Sequence, residues 1–246
     1  MEPSQTFAEN LSFSYSDYDV NDFVFPPKYL QVFQDIAGDH ADIIGCGYEA
    51  FKAKNLIWVI ARARLDIMGN PDVGEPLVLS TKVKKPEGIV FEREMYLRGR
   101  DSGKIYATGI SGWCVCNMTT RRLERPSAVP YPQSFAENYT YSNRLTALPL
   151  FDTTGMKPYE YRVGFVDLDH NRHMNNCKYA DALENAVSPQ PRQRFKSLEI
   201  DFEKEAVEGE NLSIFVSPKY ANGTFGVQAK KENGNLSFKA SFAFAD

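Results

Sequence analysis

The chain has 246 residues, 43% of them hydrophobic and 13% aromatic, with 28 Lys+Arg against 32 Asp+Glu for a net charge of −4. That is enough apolar material for a packed core in one large or two small domains, and it excludes a disordered chain. The mild negative charge gives no general affinity for nucleic acid or an anionic membrane, and no stretch is apolar for the length of a membrane span. The N-terminal run Met1-Glu-Pro-Ser-Gln-Thr-Phe-Ala-Glu-Asn10 has no basic start and no apolar core, so neither a secretory nor a transit peptide is expected. The four cysteines do not read as a disulfide frame; thiols in a cytoplasmic protein are the expectation.

In chain order, residues 1–12 read as a frayed start or a short opening strand. Pro26-Pro27 opens a helix, where proline is tolerated in the first turn, and Tyr29, Leu30, Phe33, Ile36, Ala37 and Ile44 give it one apolar face. Gly45 and Gly47 stop it. Strands are expected over 55–67, 77–85, 89–98 and 104–117, punctuated by turn signals at Gly69-Asn-Pro, Pro86-Glu-Gly and Asp101-Ser-Gly. Residues 126–158, with five prolines, form a connector laid over the surface. The order then repeats as a strand at 159–167, a polar loop, a helix at 175–187, and strands near 195–205, 211–220, 224–232 and 236–245. The fold class is thus α+β, with modules at 1–125 and 159–246.

The polar loop Asp167-Leu-Asp-His-Asn-Arg-His-Met-Asn-Asn-Cys-Lys-Tyr179 concentrates two of the three histidines with carboxylates and amides. It leads into a helix N-terminus, whose unpaired N–H groups and positive dipole would suit a carbonyl oxygen gaining negative charge. A calcium loop of the EF-hand type would need Gly and Glu where Arg172 and Lys178 stand, which excludes it. Neither spacing nor a matching Cys/His partner supports a transition metal on His170 and His173. Asp17-Tyr-Asp-Val-Asn-Asp-Phe-Val-Phe-Pro-Pro-Lys-Tyr29 repeats the pattern at an offset of 150 without a gap. Phe23 stands where the second copy has His173, so proton transfer is expected in the second copy only.

The 167–179 pattern closely resembles the signature of the acyl-acyl-carrier-protein thioesterases. Leu56-Ile-Trp-Val-Ile-Ala-Arg62 and Trp113-x-x-x-Asn117-x-x-Thr120-Arg-Arg-Leu123 resemble two further stretches of that family, so the likeness runs over nearly the whole chain. The resemblance implies a double hot-dog architecture, in which a long helix wrapped by antiparallel sheet is used twice and the two modules pack as one unit. With no transit peptide, it resembles a bacterial-type member rather than a plastid one. It implies hydrolysis of fatty acyl-acyl carrier protein to free fatty acid, ending chain elongation. No cofactor or metal is implied. The partner would be acyl carrier protein, and a homodimer is allowed.

Carried over residue by residue, the family's catalytic set falls on Asp169, Asn171, His173 and Glu205. Ala206 replaces the cysteine that follows the glutamate in the family, so water must attack directly or another residue must serve. By pattern alone Glu199, Asp201, Glu203 and Glu205 alternate onto one strand face, where all four could be solvated carboxylates; the resemblance makes the choice. Asn171 and Asp169 recur as Asn21 and Asp19, so a structural role in the loop is a real alternative for both. Cys177, in the first helical turn, is a weaker nucleophile candidate. Arg162, Arg192, Arg194 and Lys196, with Arg121 and Arg122, could steer an acidic carrier or be scattered surface charge. The rival functions are an acyl-CoA thioesterase, a hot-dog hydratase, for which no dedicated His–carboxylate pair is evident in the first half, and a non-catalytic acyl-binding protein.

Overall fold

A computed structural model describes residues 5–129, 131 and 144–245. The expected connector at 126–158 lies partly outside them, at 130 and 132–143. The chain forms two compact units, Met1–Asp17 with Tyr29–Leu145, and Tyr18–Lys28 with Thr146–Asp246. The loop of the first copy therefore belongs to the second unit.

In the first unit, strand β1 (Thr6–Leu11) precedes helix α1 (Pro26–Ile43), a short helix α2 (Tyr48–Lys52), and strands β2 (Leu56–Ile67), β3 (Leu77–Val83), β4 (Phe91–Gly99) and β5 (Ile105–Asn117). The sheet runs β1-β3-β4-β5-β2, and its pairings are antiparallel. The apolar residues that marked the helix are those it buries: Tyr29, Leu30, Phe33, Ile36, Ala37 and, just beyond its end, Ile44. Gly109 on β5 lets the helix approach. A Cβ there would lie 2.5 Å from the Phe33 ring, closer than non-bonded carbons can stand. The short helix α2 was not foreseen in the sequence. Its Phe51 is fully buried and stacks on Trp58 at 4.8 Å, while the Trp58 indole N–H donates to the Cys46 carbonyl at 2.8 Å.

The second unit contains β6 (Tyr159–Arg162), α3 (Asn176–Val187), β7 (Phe195–Phe202), β8 (Asn211–Val216), β9 (Phe225–Lys231) and β10 (Leu236–Phe244). Its order is β7-β10-β9-β8-β6, again with antiparallel pairings. Tyr179 of α3 lies edge-on to Phe202 and Phe238 of the sheet. Each unit is thus a helix set on an antiparallel sheet, and the fold is the α+β double hot-dog. Among the described residues no helix is long and apolar enough to cross a membrane.

Three sequence expectations need correction. The strand expected at 159–167 ends at Arg162, where the Asp167 carboxylate takes the Gly164 N–H and closes a 3-10 turn at Phe165–Asp167. The strand expected at 195–205 ends at Phe202, because the Ser237 carbonyl accepts from both Glu203 N–H (2.9 Å) and Lys204 N–H (3.1 Å), which breaks the one-to-one ladder. The four acidic residues therefore do not share one solvated face. Glu199 and Asp201 are buried, at 6% and 3% exposure. They accept from the backbone N–H groups of Thr146 (3.5 Å) and Leu148 (2.9 Å). Lys239 donates to the Leu148 carbonyl (3.0 Å) and Gln228 to that of Phe151 (2.8 Å). The described part of the connector thus finds its hydrogen-bond partners in sheet side chains, which is what backbone laid over a sheet without joining it requires.

Candidate active site

The loop that carries the site is shaped by local chemistry that occurs twice. In the second copy Asp169 Oδ1 accepts the Asn171 N–H at 2.8 Å, the Asp169 N–H donates to the His173 carbonyl at 2.9 Å, and Arg172 adopts a left-handed φ of 65°. In the first copy Asp19 Oδ1 accepts the Asn21 N–H at 2.8 Å, the Asp19 N–H donates to the Phe23 carbonyl at 2.8 Å, and Asp22 has φ 61°. Bridges Leu168↔Met174 and Tyr18↔Val24 close the two loops alike. An aspartate capping its own turn is a standard way to stabilise such a loop. The preceding carboxylates also turn inward: Asp167 accepts from Tyr161 Oη (2.9 Å) and Gly164 N–H (2.8 Å), and Asp17 from Ser14 N–H (2.9 Å). Burial, then the bond to Asp167, pushes the Tyr161 phenol up from its ordinary range.

The side chain at the end of the loop, Phe23 in the first copy and His173 in the second, is one of the differences between them. His173 Nε2 lies 3.3 Å from Glu205 Oε2, with the two side chains 31% and 41% exposed, so the pair is open to a ligand. The loops that carry them are joined one residue further along, where the Met174 N–H donates to the Ala206 carbonyl at 2.8 Å. The Ala206 N–H in turn donates to the buried Tyr179 hydroxyl at 3.0 Å. Lys231 Nζ donates to the Glu205 carbonyl and pairs with Glu210 at 2.8 Å. Burial acts to raise the Glu210 carboxyl, but the Lys231 and Val207 N–H bonds outweigh it and hold it low. Glu203, two residues before Glu205, is engaged differently, pairing with Lys239 at 2.9 Å.

All four expected residues are placed by this scaffold, with different surroundings. His173 and Glu205 meet directly. The carboxylate of Asp169 is turned onto backbone, as that of Asp19 is. Asn171 is half-buried, and its side-chain amide makes no hydrogen bond among the described residues. The N-terminus of α3 offers less to a ligand than its sequence implied. Asn175 caps it, taking the Cys177 N–H on Oδ1 at 2.9 Å and the Lys178 N–H on its carbonyl at 2.9 Å. Cys177 is buried, and none of the four cysteines is in a disulfide. Of the basic residues, Arg194 lies over the Phe23 ring at 6.0 Å, while Arg162, Arg192 and Lys196 are exposed. Sequence reasoning missed Tyr179 and Lys231 as supports of the Glu205 segment. Tyr179 lay inside the signature and could have been flagged; Lys231 reaches Glu205 from a distant strand and left no local signal.

Comparison with known proteins gives this geometry a family. The chain is similar to the palmitoyl-acyl carrier protein thioesterase of Arabidopsis thaliana chloroplasts, at 29% identity over 70% of this chain and 45% of that protein. It is also similar to the oleoyl-acyl carrier protein thioesterase 1 of the same organism, at 21% identity over 82% of this chain and 61% of that protein. The chain thus spans about half the length of the curated relatives it matches. Among solved structures, an acyl-ACP thioesterase from Bacteroides thetaiotaomicron superposes with a TM-score of 0.85 at 18% identity over the whole of both chains. A 12:0-ACP thioesterase from Umbellularia californica superposes with a TM-score of 0.79 at 18% identity over 98% of each. At these identities the superpositions show the shared fold. The family model for the acyl-ACP thioesterase N-terminal domain matches residues 4–128, and that for the C-terminal domain matches 152–245. With both halves matched, the protein belongs to the acyl-ACP thioesterase family.

Proposed function

We propose that the protein hydrolyses the thioester between a fatty acyl chain and acyl carrier protein, releasing the free fatty acid. The observation that carries this reading is the exposed His173–Glu205 pair at 3.3 Å, set in a chain of this family. The Glu205 carboxylate takes a proton from a water molecule whose oxygen attacks the thioester carbonyl carbon. His173, in contact with Glu205, holds that water and shares its proton. The Asn171 amide donates to the carbonyl oxygen as it gains charge. Collapse of the tetrahedral intermediate breaks the C–S bond, and the proton leaves on the thiol. Asp169 serves by fixing the turn that presents Asn171 and His173. Ala206, placed where the family pattern has cysteine, leaves direct attack by water as the simplest route.

The first copy, with Phe23 in place of histidine, is catalytically silent in this reading. A cytoplasmic location belongs to the same reading and is supported by four cysteines with no disulfide among them. Assembly as a homodimer is measured by sedimentation velocity.

The test is incubation of the purified protein with acyl-carrier-protein substrates of varied acyl length, scoring released fatty acid. Glu205→Gln and His173→Ala are each expected to lower turnover by about a hundredfold or more, and the double variant to lose little further, because groups serving one step are not additive. Glu203→Gln is expected to keep turnover near wild type, since its partner is Lys239. No free acid from any acyl length would sink the reading. Full activity in Glu205→Gln would sink the carboxylate-base step.

A further inference from the structure

The two loop copies form an internal control. From residue 161 to 173 and from 11 to 23 the turn hydrogen bonds, the left-handed residue and the pattern of exposure nearly coincide. Differences between the copies can therefore be read at constant backbone. The carboxylates common to both, Asp167 and Asp169 or Asp17 and Asp19, accept hydrogen bonds from within their own loops, so they add little to the outward face. What faces outward differs in part. Both copies expose an aromatic ring, Tyr15 or Phe165, and the first also exposes Val20 where the second has His170. The contrast in charge lies at Ser12 and Asp22, which the second copy replaces with exposed Arg162 and Arg172, and exposed Val166 replaces Ser16. Two Ser/Asp-to-Arg exchanges move the outward charge from negative to clearly positive. Between the arginines, Phe165 and Val166 are 78% and 81% exposed, and neither arginine has an ion-pair partner among the described residues.

We propose that this face, Arg162, Phe165, Val166 and Arg172, is the surface on which an acidic protein carrying the acyl thioester docks. The proposal rests on the function proposed above and adds to it the place of contact. An exposed apolar pair with arginines on either side of it in one short loop segment supplies the side chains of an interface centre with a charged rim. Positive rim charge accelerates encounter with an acidic partner even on a protein of net charge −4. Arg172 is the residue before His173, so a carrier seated here holds its thioester arm beside the His173–Glu205 pair. A lipid surface also favours basic and apolar side chains, but two arginines fall short of the cluster of four or more that anionic membranes select.

The test uses residues that the fold already accepts in the first copy. Arg162→Ser with Arg172→Asp restores Ser12 and Asp22, and Asp22 shows that aspartate is tolerated at that φ. Val166→Ser restores Ser16. Binding of fluorescently labelled acyl carrier protein is followed by anisotropy at several salt concentrations. Hydrolysis is compared on two substrates with the same scissile bond, acyl-carrier protein and the neutral acyl-pantetheine. Carrier affinity is expected to fall about tenfold or more in the arginine double variant, with a flatter salt dependence. KM is expected to rise for the carrier substrate, with kcat/KM on acyl-pantetheine unchanged. Unchanged carrier binding, or equal losses on both substrates, would overturn the proposal. So would binding to anionic phosphatidylserine vesicles that the variant loses while keeping its carrier affinity. Should the wild type cleave neither substrate, the hydrolase reading fails, and the anisotropy arm still decides the docking surface.

Discussion

Glu184 offers a prediction that depends on structure alone. It lies on α3, partly buried, with its carboxyl pushed up from 4.5 to about 8 by burial first, then by the charges of Asp19 and Asp181. A raised carboxyl means that the folded state holds a proton the unfolded chain has already released. Between about pH 4.5 and pH 8 the folded state thus binds more protons, and stability falls as pH rises through that window. Below it the effect is absent; above it the penalty is complete and constant. The full shift corresponds to about 5 kcal/mol at about 1.36 kcal/mol per unit, and partial exposure brings this to about 2–3 kcal/mol. Glu184→Gln removes the titration while keeping the size. Urea or thermal denaturation of wild type and variant at pH 5, 7 and 9 measures the difference between them, in which the titrating groups that do not interact with Glu184 cancel. The variant is expected to gain little at pH 5 and about 2–3 kcal/mol at pH 9. At roughly 2–4 °C per kcal/mol for a chain of this size, that is a rise in Tm of about 4–12 °C. A gain of the same size at pH 5 and pH 9 would be a packing effect and would refute the reasoning. A loss that deepens with pH would show that Glu184 is ionised and paired.

Two further expectations concern the scaffold. Asp19→Ala removes the acceptor of the Asn21 and Phe23 N–H groups and is expected to cost about 1–3 kcal/mol of stability with turnover per folded molecule unchanged. Asp169→Ala is expected to cost stability and turnover together, and Asp169→Asn, which can still accept the Asn171 N–H, to recover most of the turnover; an Asn variant as inactive as Ala would give the Asp169 charge a role in the chemistry. Tyr179→Phe leaves the buried Ala206 N–H without its acceptor, so denaturation should show a loss of about 1–3 kcal/mol, and the assay a fall in turnover through Glu205; an unchanged variant in both measurements would remove Tyr179 from the support of the site.

The elements were legible because their periodicity survives in the sequence. The apolar face of α1 and the alternation over 63–67 in β2 follow the spacing of buried residues, whereas β5, buried along nearly its whole length, was legible as an apolar run between turn signals. The loop duplication was legible because its chemistry is local: each aspartate bonds to N–H groups within a few residues, so the residue pattern and the geometry repeat together. The fate of the acidic run 199–205 was hidden for the opposite reason. Alternation predicts one solvated face only while the strand continues, and it is Ser237, on another strand, that ends it. The burial of Glu199 and Asp201 is not legible in the pattern because the groups that satisfy them, the N–H groups of Thr146 and Leu148, lie 53 residues away. A carboxylate bonded to backbone looks, in sequence, like one bonded to water.

The internal repeat also has a defined reach, and it decides which site residues could be found without the family. The 150-residue register holds from the opening 3-10 turns, Tyr15–Asp17 and Phe165–Asp167, through the loops to the helix starts at Pro26 and Asn176. It fails after the helices, because α1 has 18 residues and is followed by α2, whereas α3 has 12 and leads to β7. Position 55, which the offset would pair with Glu205, is Asn55, whose amide donates to Asn117 and Thr119 in a different surface network. His173 could thus be singled out by comparing the chain with itself, since Phe23 occupies the same loop position. Glu205 could not, because no equivalent position exists in the first half at that register; it was reached through the resemblance, and the structure sets it 3.3 Å from His173. Two routes that share no assumption, internal comparison and family resemblance, lead to side chains in contact. Chance association of a loop histidine with one of four acidic residues in a seven-residue run would not require their main chains to be joined by the Met174–Ala206 bond. That bond, with Tyr179 and Lys231 behind it, gives the pair a fixed mount, which suits the proton transfer proposed for it, since such a geometry would be ready before substrate arrives.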